Sequence, residues 1–206
     1  MVKVAVLDYG IGNLRSAQKA FEISGAEARL TADKDLVLAS DGVVLPGVGN
    51  FGKCAKALTD SGVRELALLA VKNGLPFLGI CVGMQLLYET SDESPAAKGL
   101  GLFSGKVKML ENAPRVPQMQ WNQIQLQNDS PLLRGLEGEW FYFVHSYAAE
   151  QNHLESTTIA TCTYGSSVIA AVQKGLIFGT QFHPEKSGKA GRLLLQNFLK
   201  ICERTT

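Results

Sequence analysis

The chain has 206 residues, of which 46% are hydrophobic and 19% charged, and its formal net charge is +1. This is ordinary globular composition with room for one sizeable core, and its basic residues are scattered among acidic ones, so neither nucleic acid nor a membrane surface is indicated as a partner. No apolar run is long enough to cross a bilayer, and because residues 2–7 enter a strand pattern at once, we expect no secretory leader. We expect one domain over residues 1–206, located in the cytoplasm.

Strand and helix patterns alternate along the first half of the chain. Strand patterns cover residues 2–7, 27–31, 42–45 and 76–78, and helical patterns begin at residue 14 and cover 33–39, 63–72 and 86–89. Such alternation is typical of a parallel sheet with helices packed on its faces.

The second half changes character. Between residues 105 and 181 the sequence is mostly short β-like runs, at 106–109, 123–126, 140–144, 168–172 and 176–179, before a final helix over about 190–201. Short strands without intervening helices indicate antiparallel pairing. The predicted fold class is therefore α/β, with an open, mostly parallel sheet flanked by helices and additional antiparallel strands in the C-terminal half.

A dinucleotide-binding turn is the first motif to consider, because Gly10 and Gly12 follow the first strand. The third glycine position of that motif is occupied by Arg15, and no clean acidic residue closes a second strand afterwards. We therefore predict no nucleotide cofactor.

The central motif is Gly79-Ile80-Cys81-Val82-Gly83, between an apolar strand and a helical pattern. A cysteine flanked by glycines two residues away on both sides has the pattern of a nucleophile elbow, in which a strained turn exposes the nucleophile at the top of a sheet. The Val82 amide then becomes a donor to a developing oxyanion. The alternative is a buried structural cysteine, which the glycine frame disfavours.

The other cysteines carry no such frame. The four cysteines are far apart and form no C-x-x-C pair, so neither a metal site nor a disulfide framework is predicted, and all four are expected as free thiols. We expect the three outside the elbow to tolerate replacement: Cys54, Cys162 and Cys202.

A second loop, Pro46-Gly47-Val48-Gly49-Asn50-Phe51, ends the apolar strand at residues 42–45. In an open α/β sheet, loops at the carboxyl ends of strands line the ligand crevice, so this loop is expected beside the elbow. The Val48 amide is its candidate second oxyanion donor. A turn without chemistry is an equally supported alternative from this loop alone.

A thiol nucleophile usually needs an imidazole, and the chain has His145, His153 and His183. His153 lies in a polar stretch expected at the surface, and His145 ends an aromatic strand, which suits a pocket wall or structural hydrogen bonding. His183 follows an apolar strand, and Glu185 two residues later can accept from one ring nitrogen while the other faces Cys81. His183 is therefore the predicted base.

Together these motifs resemble the class I glutamine amidotransferases, and among them the glutaminase subunits of imidazole glycerol phosphate synthase. The resemblance covers nearly the whole chain, and the segments that carry it further are these: Asp8-Tyr9-Gly10-Ile11-Gly12-Asn13-Leu14, Pro46-Gly47-Val48-Gly49-Asn50-Phe51-Gly52, Tyr142-Phe143-Val144-His145-Ser146-Tyr147 and His183-Pro184-Glu185-Lys186-Ser187. Two departures are Gln120, where the family usually has glycine, and Val82, where it often has leucine.

The resemblance implies that a triad of Cys81, His183 and Glu185 hydrolyses glutamine to glutamate and ammonia, with no metal or other cofactor. It implies oxyanion donors at the Val48 and Val82 amides and glutamine binding by Gly49, Gln85, His145, Ser146 and Tyr147. It also implies a (β/α)₈-barrel cyclase on another chain, which consumes the ammonia. Candidate contacts with that partner are Asn13, Trp121, Tyr142 and Lys186.

Two other interpretations remain at this stage. One is a different glutaminase of the same superfamily, such as that of pyridoxal phosphate synthase, or a stand-alone carbon–nitrogen hydrolase. The other is a non-catalytic α/β binding module, which would be expected to have lost triad residues.

Overall fold

The computed structural model describes residues 1–150 and 157–205, so His153 lies outside the described residues. In chain order the strands are β1 (Lys3–Leu7), β2 (Glu27–Thr31), β3 (Gly42–Gly47), β4 (Phe77–Cys81), β5 (Thr90–Ser91), β6 (Lys106–Met109), β7 (Gln118–Gln123), β8 (Gln125–Leu126), β9 (Trp140–His145), β10 (Tyr147–Ala149), β11 (Thr158–Tyr164), β12 (Ser166–Lys174) and β13 (Ile177–Thr180). The α-helices are α1 (Leu14–Ile23), α2 (Lys34–Leu38), α3 (Phe51–Asp60), α4 (Val63–Lys72), α5 (Val82–Gln85) and α6 (Gly188–Thr205), and short 3-10 helices cover Pro131–Leu133 and Pro184–Lys186.

The main sheet has the strand order β2-β1-β3-β4-β13-β12-β11-β8. Its strands from β2 to β13 pair in parallel, whereas β12, β11 and β8 add antiparallel pairs on the C-terminal side. This arrangement confirms the predicted fold class. It also follows from the sequence, because the nearly continuous apolar runs of β3 and β4 suit strands buried on both faces.

Helices pack their apolar residues against this sheet. In α1 the buried residues Leu14, Ala17 and Phe21 recur at helical spacing, and Phe21 meets Phe198 of α6 edge to face, with ring centroids 5.9 Å apart. Phe198 in turn meets Phe178 of β13 at 6.3 Å. These two ring contacts join α1 and α6 to β13, the strand that precedes His183.

Two smaller sheets lie beside the main one. One has the order β10-β6-β5, and the other pairs β7 with β9 in antiparallel register, so that Trp121 faces Tyr142. Through them the segment 145–147 and the aromatic strand β9 come to the same edge as the elbow.

The structure departs from the sequence expectation at two helices. The helix after Cys81 is a single turn, α5, and the predicted helical residues 86–89 are turn and bend instead. The carbonyl oxygens of Leu86 and Leu87 do not continue the helix. They accept hydrogen bonds from the amides of Leu100 and Leu102, in a later loop, at 2.6 and 2.8 Å. Conversely, helix α3 is present in the structure but was not predicted from the sequence. Asn50 caps this helix, because its side-chain Oδ1 accepts from the Lys53 amide at 3.0 Å.

None of the helices in the described part of the chain is both long and apolar enough to cross a membrane. The register that matters for function is that of β3 on β4, which pairs Gly47 with Cys81. It places the loop of residues 46–49 directly beside the elbow, as expected for loops at the carboxyl ends of neighbouring parallel strands.

Candidate active site

Cys81 ends β4 in a conformation that L-residues rarely adopt, with φ 55° and ψ −112°. Its neighbours permit this because they lack side chains. A β-carbon added to Gly79 would lie 2.7 Å from the Gly83 carbonyl oxygen, and one added to Gly83 would overlap the Leu45 carbonyl oxygen. The elbow is therefore strained and tightly framed, a combination that is typical of functional turns.

His183 and Glu185 form a buried pair. The ring nitrogen Nδ1 of His183 lies 2.7 Å from Oε1 of Glu185, and the two side chains are 1% and 4% exposed. Burial alone would lower the pKa of His183, but its neighbours Cys81 and Glu185 outweigh this effect and raise the pKa to about 10. The charged form of the ring is therefore favoured between the Cys81 sulfur and the Glu185 carboxylate, and its Nε2 has no hydrogen-bond partner among the described residues. The pair forms through the 3-10 turn at Pro184–Lys186, not through extended chain as we expected.

The backbone of His183 is tied to β9. Its amide donates to the Tyr142 carbonyl at 3.0 Å. The buried Ser187 hydroxyl donates to the His183 carbonyl at 2.6 Å and accepts from the Tyr142 amide at 3.0 Å. A displacement of the Tyr142 backbone would therefore shift the His183 backbone through these hydrogen bonds.

His145 is buried with both ring nitrogens occupied. Nδ1 lies 2.9 Å from the Tyr147 carbonyl oxygen, and Nε2 lies 3.0 Å from the side-chain amide of Gln118. Burial lowers its pKa to about 4, so the ring is neutral and donates through one nitrogen only. Donation to Tyr147 leaves Nε2 to accept, which requires the Gln118 amide to be turned so that its nitrogen, which has no partner next to Oε1, donates to the ring. His145 is thus a structural support of the segment 145–147 and has no nitrogen to offer a substrate.

Gln85 supports the same segment from the elbow. Its Nε2 donates to the Tyr147 carbonyl at 2.8 Å and to Oε1 of Gln181 at 3.1 Å. Gln181 reaches the nucleophile, with Nε2 3.8 Å from Cys81 Sγ. The Ser146 carbonyl accepts from the Leu110 amide at 2.9 Å, so contacts of Ser146 or Tyr147 with a substrate would come from amides or side chains.

The segment of residues 46–49, here called the oxyanion loop, packs against the elbow backbone. A β-carbon on Gly47 would lie 2.7 Å from the Gly83 amide nitrogen, so no larger residue fits there. Val48 is half-buried, whereas Gly49 is exposed with φ 100°, a value that favours glycine. The loop and the elbow therefore approach each other closely enough to share a ligand.

A cavity of about 390 Å³ opens over Cys81. The predicted residues that line it are Asn13, Val48, Gly49, Cys81, Val82, Gln85, His145, Ser146, Tyr147, His183 and Lys186. Glu185 lies behind His183, and Trp121 and Tyr142 lie outside the cavity wall. The volume suits a small amino-acid substrate.

Glu93 also lines this cavity and was not singled out from the sequence. Its Oε2 accepts from the Phe51 amide at 2.7 Å, at the beginning of α3. Glu93 stands in a polar stretch with no motif around it, so the fold alone brings its carboxylate to the site. Among the described residues, no group of three or more His, Cys, Asp or Glu side chains could hold a metal ion.

The β7–β9 pair presents an exposed apolar face next to the cavity mouth. Directly opposite residues share a face, and the exposed members include Met119, Trp121 and Trp140, at 63%, 48% and 53% exposure. Trp121 meets Tyr142 edge to face with ring centroids 6.2 Å apart, and the Lys186 ammonium lies 6.0 Å from the centre of the Tyr142 ring. Large exposed aromatic side chains of this kind mark interaction surfaces.

A strained cysteine elbow with a buried His–Glu pair over a small cavity is the arrangement of a thiol hydrolase. The family model described as "Glutamine amidotransferase class-I" matches residues 5–202. The chain belongs to this family of class I glutamine amidotransferases.

Proteins of similar sequence narrow the assignment within this family. "Imidazole glycerol phosphate synthase subunit HisH" of Methanothermobacter thermautotrophicus is 47% identical over 198 residues, covering 96% of this chain and 98% of the relative. The protein of the same name in Geobacter sulfurreducens is 46% identical, covering 96% of this chain and 98% of the relative. Within the class I family, the chain therefore groups with the HisH subunits.

Solved structures share the fold. One described as a glutamine amidotransferase has a TM-score of 0.76 at 21% identity, covering 97% of this chain and 98% of that chain. PurLQS from Thermotoga maritima also has a TM-score of 0.76, at 23% identity, covering 98% of this chain and 99% of that chain.

Proposed function

We propose that this chain is the glutaminase subunit of an imidazole glycerol phosphate synthase. It hydrolyses glutamine to glutamate and ammonia and passes the ammonia to a barrel cyclase, which makes imidazole glycerol phosphate and an aminoimidazole carboxamide ribotide. The observation that carries the chemistry is the buried His183 ring beside Cys81, whose Nδ1 lies 2.7 Å from Glu185 Oε1 and whose Nε2 has no hydrogen-bond partner among the described residues. The names of the HisH relatives support the choice of pathway. We also propose that residues 1–206 form a single glutamine amidotransferase domain.

The reaction follows from these groups. The Cys81 thiolate attacks the glutamine carboxamide carbon, and the amides of Val48 and Val82 stabilise the oxygen that becomes negative. His183 gives its proton to the leaving nitrogen, which departs as ammonia and leaves a glutamyl thioester. His183 then takes a proton from water, and the hydroxide attacks the thioester and expels the Cys81 thiolate, while the new carboxyl group of glutamate loses its proton to solvent. Glu185 orients the ring and stabilises its charged form.

Glutamine also needs contacts for its amino and carboxylate groups. The carboxylate of Glu93 is the acidic side chain in the cavity wall in front of the elbow, and it suits the α-ammonium group of the substrate. The Gly49 amide and the segment 145–147 suit its carboxylate and carbonyl oxygens. Gln85 and His145 act in this scheme by holding the Tyr147 carbonyl in place.

The exposed face of β7 and β9 is the proposed docking surface for the cyclase. It continues into the cavity mouth, because Val144 lies on this face and lines the cavity, as Lys186 does beside Tyr142. A partner seated there would close the cavity from water and receive ammonia. We place the enzyme in the cytoplasm, where a thiol nucleophile stays reduced.

Docking is proposed to control the rate. Gly47 and Gly49 flank Val48, so the Val48 amide can rotate between productive and unproductive orientations at little steric cost. An oxyanion donor is worth about a hundred- to a thousandfold in rate. The glutaminase rate of the isolated subunit should therefore be lower than that of the complex by at least this order.

The test is to measure ammonia release by the subunit alone, by the complex, and by the complex with its cyclase substrate bound. The proposal expects the rate to rise along this series. Full activity in the isolated subunit would refute the control by docking, and failure of the complex to make imidazole glycerol phosphate from glutamine would refute the proposed pathway.

A further inference from the structure

The oxyanion loop is held from its buried side by two residues outside the triad. The Tyr9 hydroxyl donates to the Pro46 carbonyl at 2.7 Å. The Cys54 thiol of α3 donates to the Val48 carbonyl at 3.5 Å, within the range of sulfur hydrogen bonds. Both side chains are buried, so neither hydrogen bond competes with bulk water.

Tyr9 and Cys54 also lie next to each other and remain protonated. Burial raises the pKa of both groups, and the neighbouring Cys54 raises that of Tyr9 further. Each therefore keeps the proton that it donates to the loop at neutral pH. The Tyr9 hydroxyl additionally packs against Gly47, where an added β-carbon would lie 3.0 Å from its oxygen.

The two bonds fall on alternate peptide groups. The Pro46 carbonyl belongs to the peptide that joins Pro46 to Gly47, and the Val48 carbonyl belongs to the peptide that joins Val48 to Gly49. The peptide between them carries the Val48 amide, the proposed oxyanion donor. A single peptide rotates by opposite changes in ψ of one residue and φ of the next, so fixing both neighbours confines rotation to this middle peptide.

We propose that Tyr9 and Cys54 are positioning residues for the oxyanion, which hold the peptides on both sides of the Val48 amide so that this amide alone rotates towards Cys81. The proposal deepens the proposed glutaminase function and rests on it. The sequence alone led us to expect that Cys54 tolerates replacement. Under this proposal, replacing Cys54 should instead slow glutamine turnover.

The experiment uses the complex with its cyclase substrate bound and compares wild type with Tyr9→Phe, Cys54→Ala and Cys54→Ser. Tyr9→Phe keeps the ring and removes one buried hydrogen bond, for which we expect kcat for glutamine to fall about tenfold. The KM for glutamine and the rate of Cys81 alkylation by iodoacetamide should stay within about twofold, because alkylation needs no oxyanion donor. Cys54→Ala should behave similarly, and Cys54→Ser, which keeps a donor, should recover part of the loss.

Cys202→Ala is the matched control, a buried thiol on α6 away from the loop, and its kcat should equal that of wild type. Hydrogen–deuterium exchange of the loop amides adds a readout that does not depend on turnover, and it should accelerate in Tyr9→Phe and Cys54→Ala but not in Cys202→Ala. Unchanged exchange together with wild-type kcat in Tyr9→Phe and Cys54→Ala would overturn the proposal, as would a parallel fall of kcat and alkylation. A wild-type complex without glutamine turnover would instead refute the proposed function, and exchange would still decide the role of Tyr9 and Cys54.

Discussion

Gly83 and Leu45 meet backbone to backbone, so that the Leu45 carbonyl oxygen occupies the space where a β-carbon on Gly83 would lie. This contact locks the elbow after β4 against the end of β3, which leads into the oxyanion loop. Cys81 and the loop of residues 46–49 are therefore parts of one packed unit.

The variant Gly83→Ala tests this packing. Because backbone atoms cannot yield as flexible side chains do, we expect a destabilisation of about 3 kcal/mol or more and loss of glutamine turnover. Gly74→Ala is the control, since Gly74 has φ 76° with open space around it and should lose only about 1 kcal/mol. Thermal unfolding of both variants measures the difference, and equal melting temperatures would contradict the contact.

Glu185→Gln tests how His183 is tuned. A neutral amide still positions the ring but stabilises its charged form poorly, so the pKa of His183 should fall from about 10. We expect turnover to drop by about two to four orders of magnitude, whereas His183→Asn should have none. NMR titration of the His183 ring measures the pKa, and an unchanged value in Glu185→Gln would show that the carboxylate does not stabilise the charged ring.

His145 should make the fold sensitive to acid. Its pKa is about 4 in the folded protein against an ordinary 6.5, so between these pH values the unfolded chain binds a proton that the folded one does not. Stability should therefore fall as pH drops from 6.5 to 4, by up to about 3 kcal/mol from this group. His145→Asn should flatten the dependence of the unfolding free energy on pH in this window.

His183→Asn is the control for that measurement. In the wild type the pKa of the His183 ring is raised, so its contribution to the free energy of unfolding is present below pH 6.5 and is lost as pH rises towards 10. The two histidines thus act in separate windows. If the unfolding free energies of His145→Asn and wild type change equally with pH between pH 4 and 6.5, the His145 ring is not buried in its neutral form.

Ser187→Ala tests the link between β9, part of the proposed docking surface, and His183, the proposed acid and base. Removing the hydroxyl breaks its bonds to the Tyr142 amide and the His183 carbonyl. We expect the stimulation of glutaminase by the cyclase to fall at least fivefold, the equivalent of about 1 kcal/mol, while partner affinity stays unchanged. Ser24→Ala, which also loses a hydroxyl bonded to a carbonyl, should keep full stimulation. Equal stimulation in both variants would exclude this route of coupling.

The sequence predicted what depends on local rules. The glycines around Cys81, the β3 and β4 strands and the pairing of His183 with Glu185 each follow from short-range pattern. The helix after the elbow was predicted too long because the Leu86 and Leu87 carbonyls bond to a loop about fifteen residues away, a tertiary contact without a local signal. The α3 helix could have been found, since its buried residues recur at helical spacing after the Asn50 cap.

The remaining site residues needed the fold. Glu93, Tyr9 and Cys54 reach the cavity or the oxyanion loop from separate elements, and none stands in a motif that names its role. For His145 the sequence left a pocket wall or structural hydrogen bonding open, and its hydrogen-bond partners are supplied by the fold. Its two occupied nitrogens make it a support for the Tyr147 carbonyl and not a direct contact for glutamine.

We propose that Cys81 is the nucleophile of glutamine hydrolysis and that a cyclase consumes the ammonia. The most direct measurement is imidazole glycerol phosphate synthesis by the complex with Cys81→Ala, supplied either with glutamine or with an ammonium salt. We expect no synthesis from glutamine and undiminished synthesis from ammonium, because only the nucleophile is lost. Glutamine-dependent synthesis at the wild-type rate in Cys81→Ala would contradict it.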